Sequence, residues 1–311
     1  MTAPAPDSAK VPLGIHLGLM VTMAAWALNV SAVKWLTGVT DVRLVAALRM
    51  LSAVLVLVPL LLAARQSFPR WRGRMLAMAL GCALLMVYAN QMLFAAAMER
   101  TTAGNAALIL ALNPLLNGVL EAWVFRKRLS AAFVGGALLA VAGVLMVVLN
   151  REGTRFSGAS LGDLMVAASM LAFAGGVLVL QRLSRDTGAV AINTFLYSVG
   201  TVALLAHALV ALPAPLAAVR LLGWWDWGVI LFSGAIVTAL GGIAWARGVA
   251  AMGMGRAAIY MSWVPVMGVG FGAVLLNEKL TEWHFFGMIL VLMGTILSSA
   301  RFERTARLSK M

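Results

Sequence analysis

Arg49 and Glu121 stand inside stretches of apolar sequence roughly 20 residues long. An ionisable group in such a place costs stability unless it has work or a partner. Arg49, seven residues into its stretch, can hold an anionic group or bond backbone carbonyls where helices meet. Glu121 follows Pro114 by seven residues. A helical rise puts it about 6 Å from the end of its stretch, suited to carrying a proton or pairing with Arg126 or Arg128. It is the one carboxylate this reading assigns to the interior of such a stretch.

Amides and aromatics accompany these charges. Trp26 and Asn29, three residues apart, share a helical face. Tyr88, Asn90, Gln91 and Phe94 crowd into seven positions, with Tyr88 and Gln91 on one face and Asn90 and Phe94 on another. Tyr260 and Trp263 share a face, and Tyr197 and Trp245 add further rings. Trp26, Asn29, Tyr88, Gln91, Phe94, Tyr197, Trp245, Tyr260 and Trp263 together outline an apolar pocket with a few polar tips. Such a lining suits amphipathic small molecules. Lys34 is expected to snorkel toward an interface. His207 is expected to pack between helices, with His16 and His284 near helix ends.

The motifs of enzymes are missing. No His, Cys or carboxylate cluster has metal-ligand spacing, and there is no nucleophile elbow or phosphate-binding loop. The glycines of Ala251–Gly255 follow no strand and precede no lysine. A chain of this kind is expected to be neither an enzyme nor a holder of a metal or cofactor. The single cysteine, Cys82, cannot form an intrachain disulfide.

The elements that must position these residues follow from composition. Of 311 residues, 62% are hydrophobic and 11% charged, with a mean hydropathy of +0.96. A water-soluble domain carries about 25% charged residues, so the bilayer is the expected solvent. Ten apolar stretches read as spanning helices near 14–36, 42–64, 74–97, 103–125, 131–149, 160–182, 189–211, 225–246, 257–276 and 283–300. No cleavage pattern follows the first, so it is expected to remain. With the amino terminus inside, the inner segments hold sixteen Lys and Arg and the outer ends seven. That bias puts both termini in the cytoplasm. The net charge of +13 lines short loops rather than a patch, which argues against nucleic-acid binding. Trp224, Trp225 and Trp227 read as an interfacial belt.

The chain also repeats itself. Moved by 151 positions, residues 95–143 overlay residues 246–294 without a gap. Gly104 falls on Gly255, Pro114 on Pro265, Gly136 on Gly287 and Gly143 on Gly294. Five helices per half is an odd number, so the second half must enter the membrane inverted. The loop 126–130 reads RKRLS and its counterpart 277–281 reads NEKLT, the loss of charge that inversion requires. The predicted fold is therefore an all-α polytopic membrane protein, two inverted five-helix repeats around a central cavity. The expected divisions are a cytoplasmic tail (1–13), a first repeat (14–149), a linker (150–159), a second repeat (160–300) and a basic cytoplasmic tail (301–311). Pro114 and Pro265 remove backbone donors within their helices and are candidate hinges. A duplicated bundle with a polar, kinked centre has the character of a carrier whose site lies between the repeats.

Motifs then give a resemblance. Trp26-Ala27-Leu28-Asn29 followed by Lys34 is similar to the W-G-x-N…K signature of the EamA family in the drug/metabolite transporter superfamily, with Ala27 where glycine is usual. Arg49-Met50, the segment Thr101–Pro114 and the turn Leu276–Thr281 resemble further motifs of that family. Asn277 replaces the glycine of its G-E-x-L-[TS] turn, and in the first half Lys127 stands where glutamate is common. The resemblance implies ten helices, both termini inside, and movement of small metabolites through a central cavity of a bacterial inner membrane. The expected activity is secondary transport by alternating access, with export of amino acids or related amphipathic metabolites foremost. Cationic drugs, purines and organic anions are the alternative solutes, and a non-transporting scaffold is a remote one. Expected partners are the small-molecule substrate, the lipid bilayer and a candidate coupling proton; one chain suffices for a complete pathway.

Overall fold

Each apolar stretch has its helix in the computed structural model, which describes residues 11–124, 126, 129–150, 158–183 and 188–299. The spans are α1 (Leu13–Val39), α2 (Val42–Ala63), α3 (Gly73–Met98), α4 (Ala103–Val124) and α5 (Ala131–Leu149). The second half contributes α6 (Gly158–Leu183), α7 (Ala189–Ala211), α8 (Trp224–Met252), α9 (Met254–Met261 and Trp263–Leu276) and α10 (Glu282–Ser299). Nine are long and apolar enough to cross a bilayer; α10, the tenth, is apolar but shorter. No strand occurs among the described residues. Residues 1–10 and 301–311 of the expected end tails and most of the 150–159 linker lie outside the described residues.

The helices pack mainly across the two halves. α1 lies against α8 and α9, and its repeat counterpart α6 lies against α3 and α4. α2 packs on α8, and α7 on α3. The remaining counterparts pair with each other: α2 with α7, α4 with α9, α5 with α10. Such an exchange of partners is what a two-fold axis between the halves produces, each contact having a mirror in the other repeat.

The α5–α10 seam fixes the direction of that axis. A Cβ at Gly143 would stand 2.6 Å from the carbonyl of Gly287, and one at Gly287 equally close to the carbonyl of Gly143. Gly136 meets Gly294 in the same way. Gly136 is the repeat counterpart of Gly287, and Gly143 of Gly294. Each glycine thus touches the counterpart of its neighbour along the helix, so the two helices run antiparallel and the repeats are inverted. Small residues allow this backbone approach, since van der Waals packing holds helices together in lipid. Of the glycine pairs in the sequence only one member serves: no neighbour lies within 4 Å of a Cβ built on Gly135 or Gly242.

Two irregularities recur at the same repeat positions. α3 passes through a π-helical stretch at Leu84–Ala89, and α8 through one at Phe232–Leu240. Both end at counterpart residues, Asn90 and Gly241. π turns widen the helix and rotate the turns beyond them, and they gather at functional sites. α4 breaks at Ala111-Leu112 and α9 at Ser262, again 151 positions apart. Each break precedes its proline by two or three residues. The proline cannot donate, and its ring crowds the carbonyl four positions back.

Candidate functional site

A chain of hydrogen bonds crosses the middle of the bundle. Arg49 of α2 is 2% exposed. Its Nε donates to the Ser233 hydroxyl of α8, and Nη1 donates to Gln91 Oε1 of α3 at 3.1 Å. Ser233 in turn donates to Asn29 Oδ1 of α1. The Gln91 amide donates to Asn90 Oδ1 at 3.1 Å, and the Asn90 amide to the carbonyl of Ser169 in α6 at 2.9 Å. Five helices from both halves are thus tied by side chains at membrane depth, Arg49 and Ser233 buried and Asn29, Asn90 and Gln91 part-buried. Backbone geometry makes the contact possible: the carbonyl of Arg49 and the Ser52 hydroxyl fill the space where a side chain on Gly234 would go. The π stretch of α3 ends where the Asn90-Gln91 pair begins.

Aromatic residues flank this centre. Trp26 donates its indole N–H to the Val237 carbonyl in the π stretch of α8, at 3.2 Å. Its ring lies 5.7 Å from that of Trp245. Tyr197 of α7 lies near Arg49. Tyr88 bonds His207 across α3 and α7 at 3.0 Å, and Tyr260 bonds His16 across α9 and α1. Phe94, at 8% exposed, lies in the main core. Trp263 is 48% exposed, on the same stripe of α9 as the exposed Val274. Pro265 is buried and Pro114 exposed. Glu121 is half-buried; Arg128, one of its expected partners, lies outside the described residues.

A second construction joins the halves at one end of the bundle. Asn277 ends α9 in the left-handed conformation, at φ 52°. The turn swings the Glu278 carboxylate onto the first turn of α4, where Ala103 N–H donates to Oε1 at 2.6 Å and Gly104 N–H to Oε2 at 2.9 Å. The first N–H groups of a helix have no intrahelical partner and carry its positive dipole end, so a carboxylate suits them. Gly104 and Gly272 leave room: a Cβ on Gly272 would lie 2.6 Å from Glu278 Oε2. His284 Nε2 adds a bond to Asn105 Oδ1 at 3.2 Å. Arg126, the counterpart of Asn277, has the same left-handed backbone at φ 53°. Lys127 follows it in sequence, and an ammonium has no lone pair with which to cap. The start of α9, which such a residue would cap, is preceded by Gly253, which has no side chain with which to cap it.

Several of these roles escaped the sequence. Lys34, expected to snorkel, donates to the Met98 carbonyl at the end of α3. Glu121 is not the only carboxylate within a span: Asp163, near the start of α6, is 6% exposed and accepts from Thr101. It stands three residues past the start of the predicted span 160–182, where a charge can ordinarily reach water. Ser233 and Glu278 carried weak signals, a hydroxyl in an apolar run and a motif residue in a loop.

With that geometry in hand, comparison with known proteins is informative. The model of the EamA-like transporter family matches residues 13–149 and 160–300. A Bacillus subtilis protein described as an uncharacterized transporter, YetK, is 27% identical over 300 residues, covering 93% of this chain and 88% of its own. A Salmonella typhimurium protein described as a probable amino-acid metabolite efflux pump is 27% identical over 227 residues, covering 70% of this chain and 75% of its own. A protein of known crystal structure superimposes with a TM-score of 0.64 at 19% identity, covering 94% of this chain and 97% of the other, a likeness of fold alone.

Proposed function

The chain belongs to the EamA-like transporter family, and from that premise we propose that it exports amino acids or related amphipathic metabolites by alternating access. It is a multi-pass membrane protein of a transporter family rather than an enzyme family. The observation that carries the proposal is the buried Arg49–Ser233–Asn29 and Arg49–Gln91–Asn90 network beside Trp26, Trp245 and Tyr197. It offers polar groups to a ligand's charged end and rings to its apolar body. The Salmonella relative's description as an amino-acid metabolite efflux pump supports this substrate class. The excess of basic residues on one set of loops supports a bacterial inner-membrane location with both termini cytoplasmic. The substrate and bilayer are the partners, a proton is the proposed coupling ion, and one chain holds a complete pathway.

Uptake of labelled amino acids into proteoliposomes, with and without an imposed pH gradient, tests this reading. Accumulation of aromatic or other neutral amino acids is expected, rising with the gradient. Failure of folded, monodisperse protein to move any amino acid would overturn the assignment.

In this reading the paired breaks in α4 and α9 are hinges. Asn113, at the first break, keeps its side-chain carbonyl buried without a hydrogen bond among the described residues. Replacing Pro114 and Pro265 together by alanine restores two backbone donors and stiffens both helices. Turnover is expected to fall about tenfold, a barrier change of ~1.4 kcal/mol, with little change in substrate affinity. Unchanged turnover in the double variant would refute the hinge.

A further inference from the structure

Arg49 is a buried cation whose hydrogen-bond partners among the described residues are neutral. It lies about 10 Å along a helix about 33 Å long, far from either end. Among the described residues the ion pairs are Arg43 with Asp41 and Arg100 with Glu99, and neither involves Arg49. Its partners there are the Ser233 hydroxyl and the Gln91 amide oxygen. A guanidinium has five N–H donors, and these bonds use two. The network is polarised in one direction. Arg49 donates to Ser233 and Gln91, Ser233 donates to Asn29, Gln91 to Asn90 and Asn90 to a carbonyl. Oxygens turn toward the cation and hydrogens away, so the surrounding dipoles soften the charge without cancelling it. A charge at this depth normally meets an opposite charge.

We propose that Arg49 is the anchor for a substrate carboxylate, so that this transporter selects amphipathic molecules bearing a carboxylate over their neutral or cationic analogues. This rests on the transporter reading above and deepens it. The planar fork of the guanidinium matches a carboxylate's two oxygens. Gln91, Asn29 and Tyr197 are only part-buried, so the groups around the cation border accessible space. Trp26 and Trp245, tilted against each other on the α1–α8 side where Asn29 and Ser233 meet, supply an apolar wall for the rest of the molecule. The centre offers no carboxylate of its own among these partners, so an ammonium would meet only amide and hydroxyl oxygens. A cationic drug therefore gains nothing from Arg49.

The test compares phenylpyruvate, phenylalanine and phenylalaninamide as ligands of the purified full chain. Binding is read by thermal stabilisation in detergent, and transport by proteoliposome uptake. Phenylpyruvate and phenylalanine are expected to bind at least tenfold more tightly than the amide. Arg49→Gln is expected to erase that preference while gel filtration shows a monodisperse protein. Arg49→Lys keeps a cation without the fork, and is expected to retain the preference with weaker binding. It serves if the glutamine variant does not fold. Equal binding of acid and amide by the wild type would overturn the carboxylate anchor while leaving a transporter of amphipathic solutes intact. An unaltered preference in Arg49→Gln would do the same. Binding of none of the three would overturn the anchor and the proposed substrate class together.

Discussion

Alanine at Gly287 is expected to destabilise the protein by about 3 kcal/mol or more, the upper range for overpacking a tight interior. Its Cβ would stand 2.6 Å from the backbone carbonyl of Gly143. A flexible side chain could swing away, but a helical carbonyl moves only if α5 moves, and α5 is held along its length against α10. Gly143→Ala should do comparable damage from the other side, since the same carbonyl–Cβ conflict arises reciprocally. The two effects should not add, because the first substitution already spreads the seam that the second would spread. Gly135→Ala, with nothing within 4 Å of its Cβ, is the control and should be silent. Thermal unfolding in detergent, followed by size-exclusion chromatography, measures the wild type, the two single variants, their double variant and the control. A Gly287→Ala variant that melts with the wild type would show that α5 and α10 do not approach so closely.

Removing the Glu278 carboxylate should loosen one end of the bundle without unfolding it. The carboxylate makes two charge-assisted bonds to α4, and bonds of this kind at a helix start contribute about 1–2 kcal/mol. Losing ~2 kcal/mol from the arrangement in which Glu278 holds α4 would raise the population in which the two part about thirtyfold. Glu278→Ala should therefore increase labelling at the start of α4, read as the maleimide reaction rate of Ala106→Cys in a Cys82→Ser background. Ala106 is buried and sits one turn from Ala103. Glu278→Gln keeps one acceptor oxygen and should show a smaller rise. An unchanged labelling rate in Glu278→Ala would mean that the carboxylate caps α4 without restraining its movement. The opposite end should respond differently, because Lys127 stands at the equivalent position and cannot accept a hydrogen bond.

The boundaries of the spans were legible because lipid demands about 20 apolar residues per helix, and that demand is local. The inversion of the halves was legible from loop charge and is seen again in the seam of Gly136, Gly143, Gly287 and Gly294. The aligned glycines themselves did not say which would pack. Gly135 and Gly136 are adjacent and chemically identical, yet they lie about 100° apart on a helix, and only one meets α10. The π stretches were invisible as well. Leu84–Ala89 carries no proline or glycine, and its widened turn belongs to the packing of α3 against α6 and α7.

The candidate site divides along the same line. That Arg49, Asn29 and Gln91 stand at membrane depth is a property of the chain read alone, since hydropathy places each residue along its own helix. Which of them meet is decided by contacts between residues far apart: Ser233 lies 184 positions from Arg49 and 204 from Asn29. Those bonds depend on how α1, α2 and α8 are rotated and how closely Gly234 lets them approach. The family turn at Glu278 was readable as a motif, but its partner, the start of α4, lies 174 or more positions earlier. A local sequence pattern sets the depth and face of a residue through hydrophobicity and helical period. The identity of its partner waits on the packed bundle, where backbone distances of a few ångströms decide which buried polar groups can reach each other.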